Sequence, residues 1–412
     1  MYHRTLLPLL LALALLPACR HVGPEDTSGA PDADTDADSD SETDDDSATG
    51  PECDVGFVEH PVGENSEYTW AEPIDMDQDG DLDVALLLYW GDTIAWRENV
   101  YGDGSWWERH TITWTFDNVK DMAVIDVDGD GDLDAFAASL DLGLAWWENV
   151  DLGGTVWEKH EIDPDYLDLS RIAGADLDGD GDGDLVVSAA WTEAGTTIWM
   201  ENADGAGDHW IERDLSGFTG ELLFATAHDL DADGDQDLVG ATDITDLSWI
   251  ENVEGDASQW TAHLVVSGQQ YFRVYNPYLT DLDEDGNTDI LLPSLNPPGP
   301  AGGRLWWIRN GGEPVPTWEP LEVGETGESV ARLDAGDFDR DGDLDVVGAE
   351  YERETVSWWR SSDMTEWTRQ EVEIESPVGG GDACAADLDG DGDDDILAVT
   401  EDGIRWLENQ CL

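Results

Sequence analysis

Asp126-Val127-Asp128-Gly129-Asp130-Gly131-Asp132-Leu133-Asp134 places a carboxylate at every second position, with glycine at position six. The phrase D-x-D-x-D-G-x-x-D recurs from Asp75, Asp126, Asp176, Asp229, Asp281, Asp337 and Asp387, every 50–56 residues. A fixed period of this size marks a chain built by repetition. Around each copy the sequence repeats a longer phrase. An apolar run enters the loop, as in Arg171-Ile172-Ala173-Gly174-Ala175, and a β-rich run leaves it, as in Leu344-Asp345-Val346-Val347-Gly348-Ala349. W-x-E-N follows, as in Trp146-Trp147-Glu148-Asn149, and then W-x-x-H, as in Trp157-Glu158-Lys159-His160. These are four short β-type segments per unit, with no sustained helical periodicity. Seven such units predict an all-β, seven-bladed β-propeller with four antiparallel strands per blade.

With the strands named A to D outward from the axis, the aspartate loop joins A to B. W-x-E-N then lies on C and W-x-x-H on D. The last unit ends on strand C at Trp406–Asn409 and lacks its own D. Phe57-Val58-Glu59-His60 precedes the first loop and is expected to supply it, so that an N-terminal strand closes the last blade. Cys53 lies just before that strand and Cys411 just after its expected neighbour, which predicts a Cys53–Cys411 disulfide across the seam. Cys384 is expected to be a small buried side chain. The repeated tryptophans read as packing between blades rather than sugar platforms. His60, His110, His160 and His263 recur once per blade and read as structural.

The loops carry the chemistry. Carboxylates at positions one, three and five can turn inward, glycine at six allows the bend, the carbonyl at seven can point in, and the aspartate at nine closes the cage. Hard oxygen donors in this number suit Ca²⁺, with Mg²⁺ second and transition metals disfavoured. The expected ligand positions are Asp75, Asp77, Asp79, Asp81 and Asp83; Asp126, Asp128, Asp130, Asp132 and Asp134; and Asp176, Asp178, Asp180, Asp182 and Asp184. The later copies give Asp229, Asp231, Asp233, Asp235 and Asp237; Asp281, Asp283, Asp285, Asn287 and Asp289; Asp337, Asp339, Asp341, Asp343 and Asp345; and Asp387, Asp389, Asp391, Asp393 and Asp395. About seven Ca²⁺ ions are expected. Two carboxylates about 5 Å apart repel by roughly 3 kcal/mol at an effective dielectric near 20, so folding should be coupled to metal. Acidic turns exposed to water without metal are the plainer reading of the same residues.

The chain's 412 residues include 97 Asp+Glu against 17 Lys+Arg, a formal net charge of −80. Such a surface repels nucleic acid and anionic membranes. Salt adaptation accounts for part of the charge but not for its spacing. Residues 1–18 read as an export signal: His3 and Arg4 precede an apolar run too short to span a bilayer. The run ends in Leu16-Pro17-Ala18-Cys19, which resembles the lipobox of bacterial lipoproteins and implies lipidation of Cys19. An ordinary secretory signal with an incidental cysteine is the other reading. Arg20 in place of aspartate implies, by the same resemblance, the outer membrane or cell surface. Residues 19–54 form an acidic tether whose stretch from Gly23 to Glu52 cannot build a core. Its thirty residues span on the order of 100 Å when extended.

The loops, followed by small-residue strands such as Val239-Gly240-Ala241, resemble the FG-GAP/VCBS family over residues 55–412. That resemblance implies a calcium-stabilised propeller and no particular ligand. W-x-E-N stands where the family shows Phe-Gly and Gly-Ala-Pro.

Function should lie where the repeat breaks, on the face carrying the D–A and B–C connections. The candidates there are Trp90, Trp114, Trp191, Tyr271, Arg273, Tyr351 and Arg353. The expectation is a monomeric, non-catalytic surface module that binds an extracellular glycan or surface protein and meets membrane only through its lipid. The alternative is a polysaccharide lyase or hydrolase, for which His209, His228 and Arg273 are scattered candidates.

Overall fold

A computed structural model describes residues 55–411, apart from 64–67, 89–91, 164–168, 170, 190–195, 216–217, 219–221, 223, 242–245, 268–276, 295–302, 313–315, 327–329, 351–352 and 376. Among the described residues, twenty-eight strands form seven four-stranded antiparallel sheets. Blade 2 is typical. Its strands A to D are Val119–Ile125, Asp134–Ser139, Gly143–Asn149 and Trp157–Asp163, hydrogen-bonded in that order. The aspartate loop links A to B, as expected.

Strand B is buried from end to end in blades 1, 2, 4, 6 and 7. A strand covered on both faces has no polar side to show, which is why these segments read as unbroken apolar runs. The cores accordingly lie between blades. Trp70, Ile74, Leu87 and Trp96 of blade 1 pack against Val119, Met122, Ala137 and Trp147 of blade 2. The tryptophans of W-x-E-N are buried: Trp96, Trp146, Trp249 and Trp406 are at most 3% exposed. Indole Nε1 of Trp96 donates to the Gly154 carbonyl of the next blade at 3.0 Å, and Trp146 does the same to Gly207 at 3.2 Å.

The first strand, Phe57–Gly63, pairs antiparallel with Gly403–Asn409, so the last blade is completed by the N-terminal segment. Phe57 faces Asn409, and the next backbone bond runs from Gln410 N–H to the Gly56 carbonyl at 2.8 Å. Cys411 is buried and disulfide-bonded. Its expected partner, Cys53, lies outside the described residues, as do Cys19 and the acidic stretch. Cys384 is a small buried side chain, as expected, and is also disulfide-bonded.

Candidate metal loops

All seven loops close in one way. The N–H of the sixth-position glycine donates to the first aspartate: Gly80 to Asp75, Gly131 to Asp126, Gly181 to Asp176, Gly234 to Asp229, Gly286 to Asp281, Gly342 to Asp337 and Gly392 to Asp387, at 2.8–3.2 Å. These glycines have φ between +89° and +102°, and a Cβ on any of them would meet nothing within 4 Å. Backbone angle, not crowding, requires glycine here.

The ninth aspartate straps the loop to strand C. Asp83 accepts from Met76 N–H at 3.0 Å and from Asn99 N–H at 2.8 Å, and Asp134 accepts from Val127 and Asn149 at 3.0 and 2.8 Å. Burial pushes Asp83, Asp134 and Asp345 up to about 8, and Asp184, Asp237, Asp289 and Asp395 up to about 7. The third position is raised too, first by burial and then by its acidic neighbour at position five. Asp178 and Asp231 stand at about 6.

Carboxylate oxygens of Asp75, Asp77 and Asp83 lie within 4.8 Å of one another, as do those of Asp126, Asp128 and Asp134 and of Asp229, Asp231 and Asp237. Asp176, Asp178 and Asp180, and Asp281, Asp283 and Asp285, converge in the same way. Several of these oxygens are buried without a hydrogen-bond partner, among them Oδ1 of Asp75, Asp178, Asp229, Asp231 and Asp283. Crowded, desolvated, unpartnered oxygens of hard donors fit a divalent cation such as Ca²⁺. Position seven behaves differently. Asp132 Oδ2 accepts from Leu152 N–H at 3.2 Å and Asp343 Oδ2 from Asp363 N–H at 2.7 Å, so these side chains cap the C–D turn. Oδ1 of Asp81, Asp132, Asp182 and Asp393 is nonetheless buried without a hydrogen-bond partner, so position seven keeps a carboxylate oxygen to offer besides its carbonyl.

One functional residue escaped the sequence reading. The asparagine that ends W-x-E-N, or W-x-R-N in blade 5, donates through Nδ2 to the second loop residue of the preceding blade: Asn99 to Leu388, Asn202 to Val127, Asn252 to Leu177, Asn310 to Leu230 and Asn409 to Phe338, at 2.7–3.0 Å. Its Oδ1 accepts from the C–D turn, as from Gly104 and Gly207. Five of the seven loops are thereby clamped by the neighbouring blade; Asn149 Nδ2 makes no such bond, and blade 6 carries Ser361 in this place. The signal was an amide recurring at a buried strand end.

The repeating histidines are structural. His110 stacks on Trp96 and reaches Glu98 at 2.7 Å, and His160 and His263 do the same with Trp146–Glu148 and Trp249–Glu251. His60, on the first strand, makes the pair with Trp406 and Glu408. His228 bonds Thr288 at 2.8 Å, and Tyr278 is buried beside Asp334.

Of the ligand-face candidates, Trp90, Trp191, Tyr271, Arg273 and Tyr351 lie outside the described residues. Trp114 is 73% exposed on the expected face. Arg353 is held by Glu350 and Glu371 at 3.1 and 3.4 Å, beside a cavity of about 440 Å³ that Trp359, Trp367 and Arg369 also line. Exposed aromatics also occur on the loop face, where Tyr101 and Trp106 flank the C–D turn of blade 1. A cavity of about 560 Å³ on the axis is lined by strand-A residues including Glu72, Asp121 and Arg171.

Residues 126–187, 281–348 and 337–398 match the FG-GAP-like repeat family. No curated protein matches the chain. The chain thus carries FG-GAP-like repeats set in a seven-bladed β-propeller.

Proposed function

We propose that the chain is an exported, lipid-anchored binding module whose propeller is stabilised by calcium and which recognises an extracellular glycan or surface protein without catalysis. The observation that carries the calcium part is the set of buried, unpartnered carboxylate oxygens converging in the A–B loops. In loops whose first and third carboxylates no arginine reaches, a dication would offset the desolvated acids directly. The binding part rests on exposed aromatics at the turns, of which Trp114 is the most exposed on the face away from the loops. Anchoring rests on Cys19 and the acidic stretch that follows it. Among the described residues the four repeating histidines are engaged in structural pairs, which argues against their use as general acids or bases.

Binding to a glycan array in calcium, lost in chelator, tests the reading. A turnover assay on whatever binds accompanies it. Turnover abolished by His228→Ala would replace the binding module with a polysaccharide-cleaving enzyme.

A further inference from the structure

The seven blades differ at one place that bears directly on the loops. Where W-x-E-N supplies glutamate on strand C, strand D supplies a histidine or an arginine opposite. Glu98 pairs with His110, Glu148 with His160, Glu251 with His263 and Glu408 with His60, at 2.6–2.9 Å, and Glu201 pairs with Arg213 at 2.5 Å. Blades 5 and 6 invert this. The strand-C position is Arg309 or Arg360, and the residue that takes histidine's place in the register is Leu321, opposite Trp307, or Gln370, opposite Trp358.

Both arginines turn into their own loops. Arg309 Nη2 lies 2.5 Å from Asp283 and 3.3 Å from Asp285. Arg360 Nε contacts Asp339, which is fully buried, and its Nη2 lies 3.8 Å from Asp341. These are loop positions three and five, the carboxylates a metal would share. The strand-C charge reaches position three in every blade. Burial raises the third-position aspartate in all seven loops; the strand-C glutamate adds slightly to that rise at Asp77, Asp128, Asp178, Asp231 and Asp389, whereas Arg309 and Arg360 partly offset it at Asp283 and Asp339. Arg340 also approaches a loop, but at Asp391 and Asp393, positions five and seven, and leaves position three of the last loop untouched.

We infer that the loops form two classes: five that take a divalent cation tightly, and the loops Asp281–Asp289 and Asp337–Asp345, where the guanidinium of Arg309 or Arg360 supplies the positive charge and metal binds far more weakly. This rests on the calcium reading above. Arginine stays charged at every working pH, so the resident cation cannot be titrated away. To admit Ca²⁺, the loop must release two ion pairs and hold a dication beside a displaced guanidinium. That lowers affinity by about a hundredfold or more.

Equilibrium dialysis of the whole chain against Ca²⁺, with bound metal counted by atomic emission, decides the matter. At free Ca²⁺ of about 10 µM and moderate salt, the unaltered chain should hold five ions, and two more should bind only near millimolar concentration. Seven ions of equal affinity would overturn the inference and leave the calcium reading standing, whereas no tightly held ion would sink the calcium reading itself. The paired change Arg309→Glu with Leu321→His should raise the tight count by one, and Glu148→Arg with His160→Leu should lower it by one. An unchanged count in either would also overturn the inference. Untouched loops report folding in each variant, because an unfolded chain loses every tight site rather than one.

Discussion

In blade 2, Gly131 donates to Asp126 at 3.1 Å, Asp134 accepts from Asn149, and Glu148 turns outward to His160. In blade 6, Gly342 donates to Asp337 at the same 3.1 Å, Asp345 accepts from Ser361 at 2.6 Å, and Arg360 turns inward to Asp339. The backbone of the hairpin is therefore indifferent to the origin of its positive charge. Glycine geometry and the ninth aspartate shape the loop. Neutralising it is a separate problem with two solutions, a side chain or a bound ion; blade 6 shows the first, and the second is what we propose for blade 2.

The largest expected effect comes from taking the ions away. A site held at a thousandfold over its dissociation constant contributes about 4 kcal/mol, so chelation should lower the melting temperature by at least about 20 °C at low salt. A melt unmoved by chelator would remove the distinction between the blades altogether. Next, Asp134→Ala, which strands the N–H groups of Val127 and Asn149, and Asp345→Ala, which strands that of Ser361, should each cost about 3–5 kcal/mol in denaturant titrations. Calcium should widen the loss for Asp134→Ala and leave that for Asp345→Ala nearly unchanged. Equal calcium dependence would break the comparison.

Acidity provides a third comparison. Asp134 and Asp345 are alike pushed up to about 8 by burial, so Arg360 does not relieve position nine. In metal-free protein the native state then keeps protons that the unfolded chain has already released. Stability should fall as pH rises from the ordinary carboxylate range to about 8, and calcium, competing with those protons, should flatten or reverse the slope. A smaller effect, about 1–3 kcal/mol, is expected for Asn202→Ala, which cuts a blade-to-blade clamp that blade 6, with Ser361, does without. His160→Ala should cost about 1 kcal/mol or less, since its ion pair is partly exposed and its stacking is modest.

The aspartate spacing announces the number of blades, and hairpin order follows because consecutive β segments pair. Even the closing strand was readable, since Phe57-Val58-Glu59-His60 is a D phrase standing without its blade. The clamps were harder to see. Asn202 works on Val127, 75 residues away, and nothing local in W-x-E-N says which carbonyl it meets. Arg309 and Arg360 were visible as departures from W-x-E-N, yet their meaning depends on facing Asp283 and Asp339 across the sheet. The same letters read alone suggest ordinary surface charge. The irregular connections resisted for another reason: single aromatics such as Trp114 carry no period, and only their exposure distinguishes them from packing.

The seam also fixes an orientation. Strand C of the last blade ends at Asn409 on the side of the A–B loops, and Phe57 lies opposite it, so Val55 and Gly56 stand on that side of the disc. Any surface that holds this molecule by its amino terminus would therefore confront the acidic hairpins. The far side, with Trp114 and Arg353, would be turned toward whatever arrives from outside.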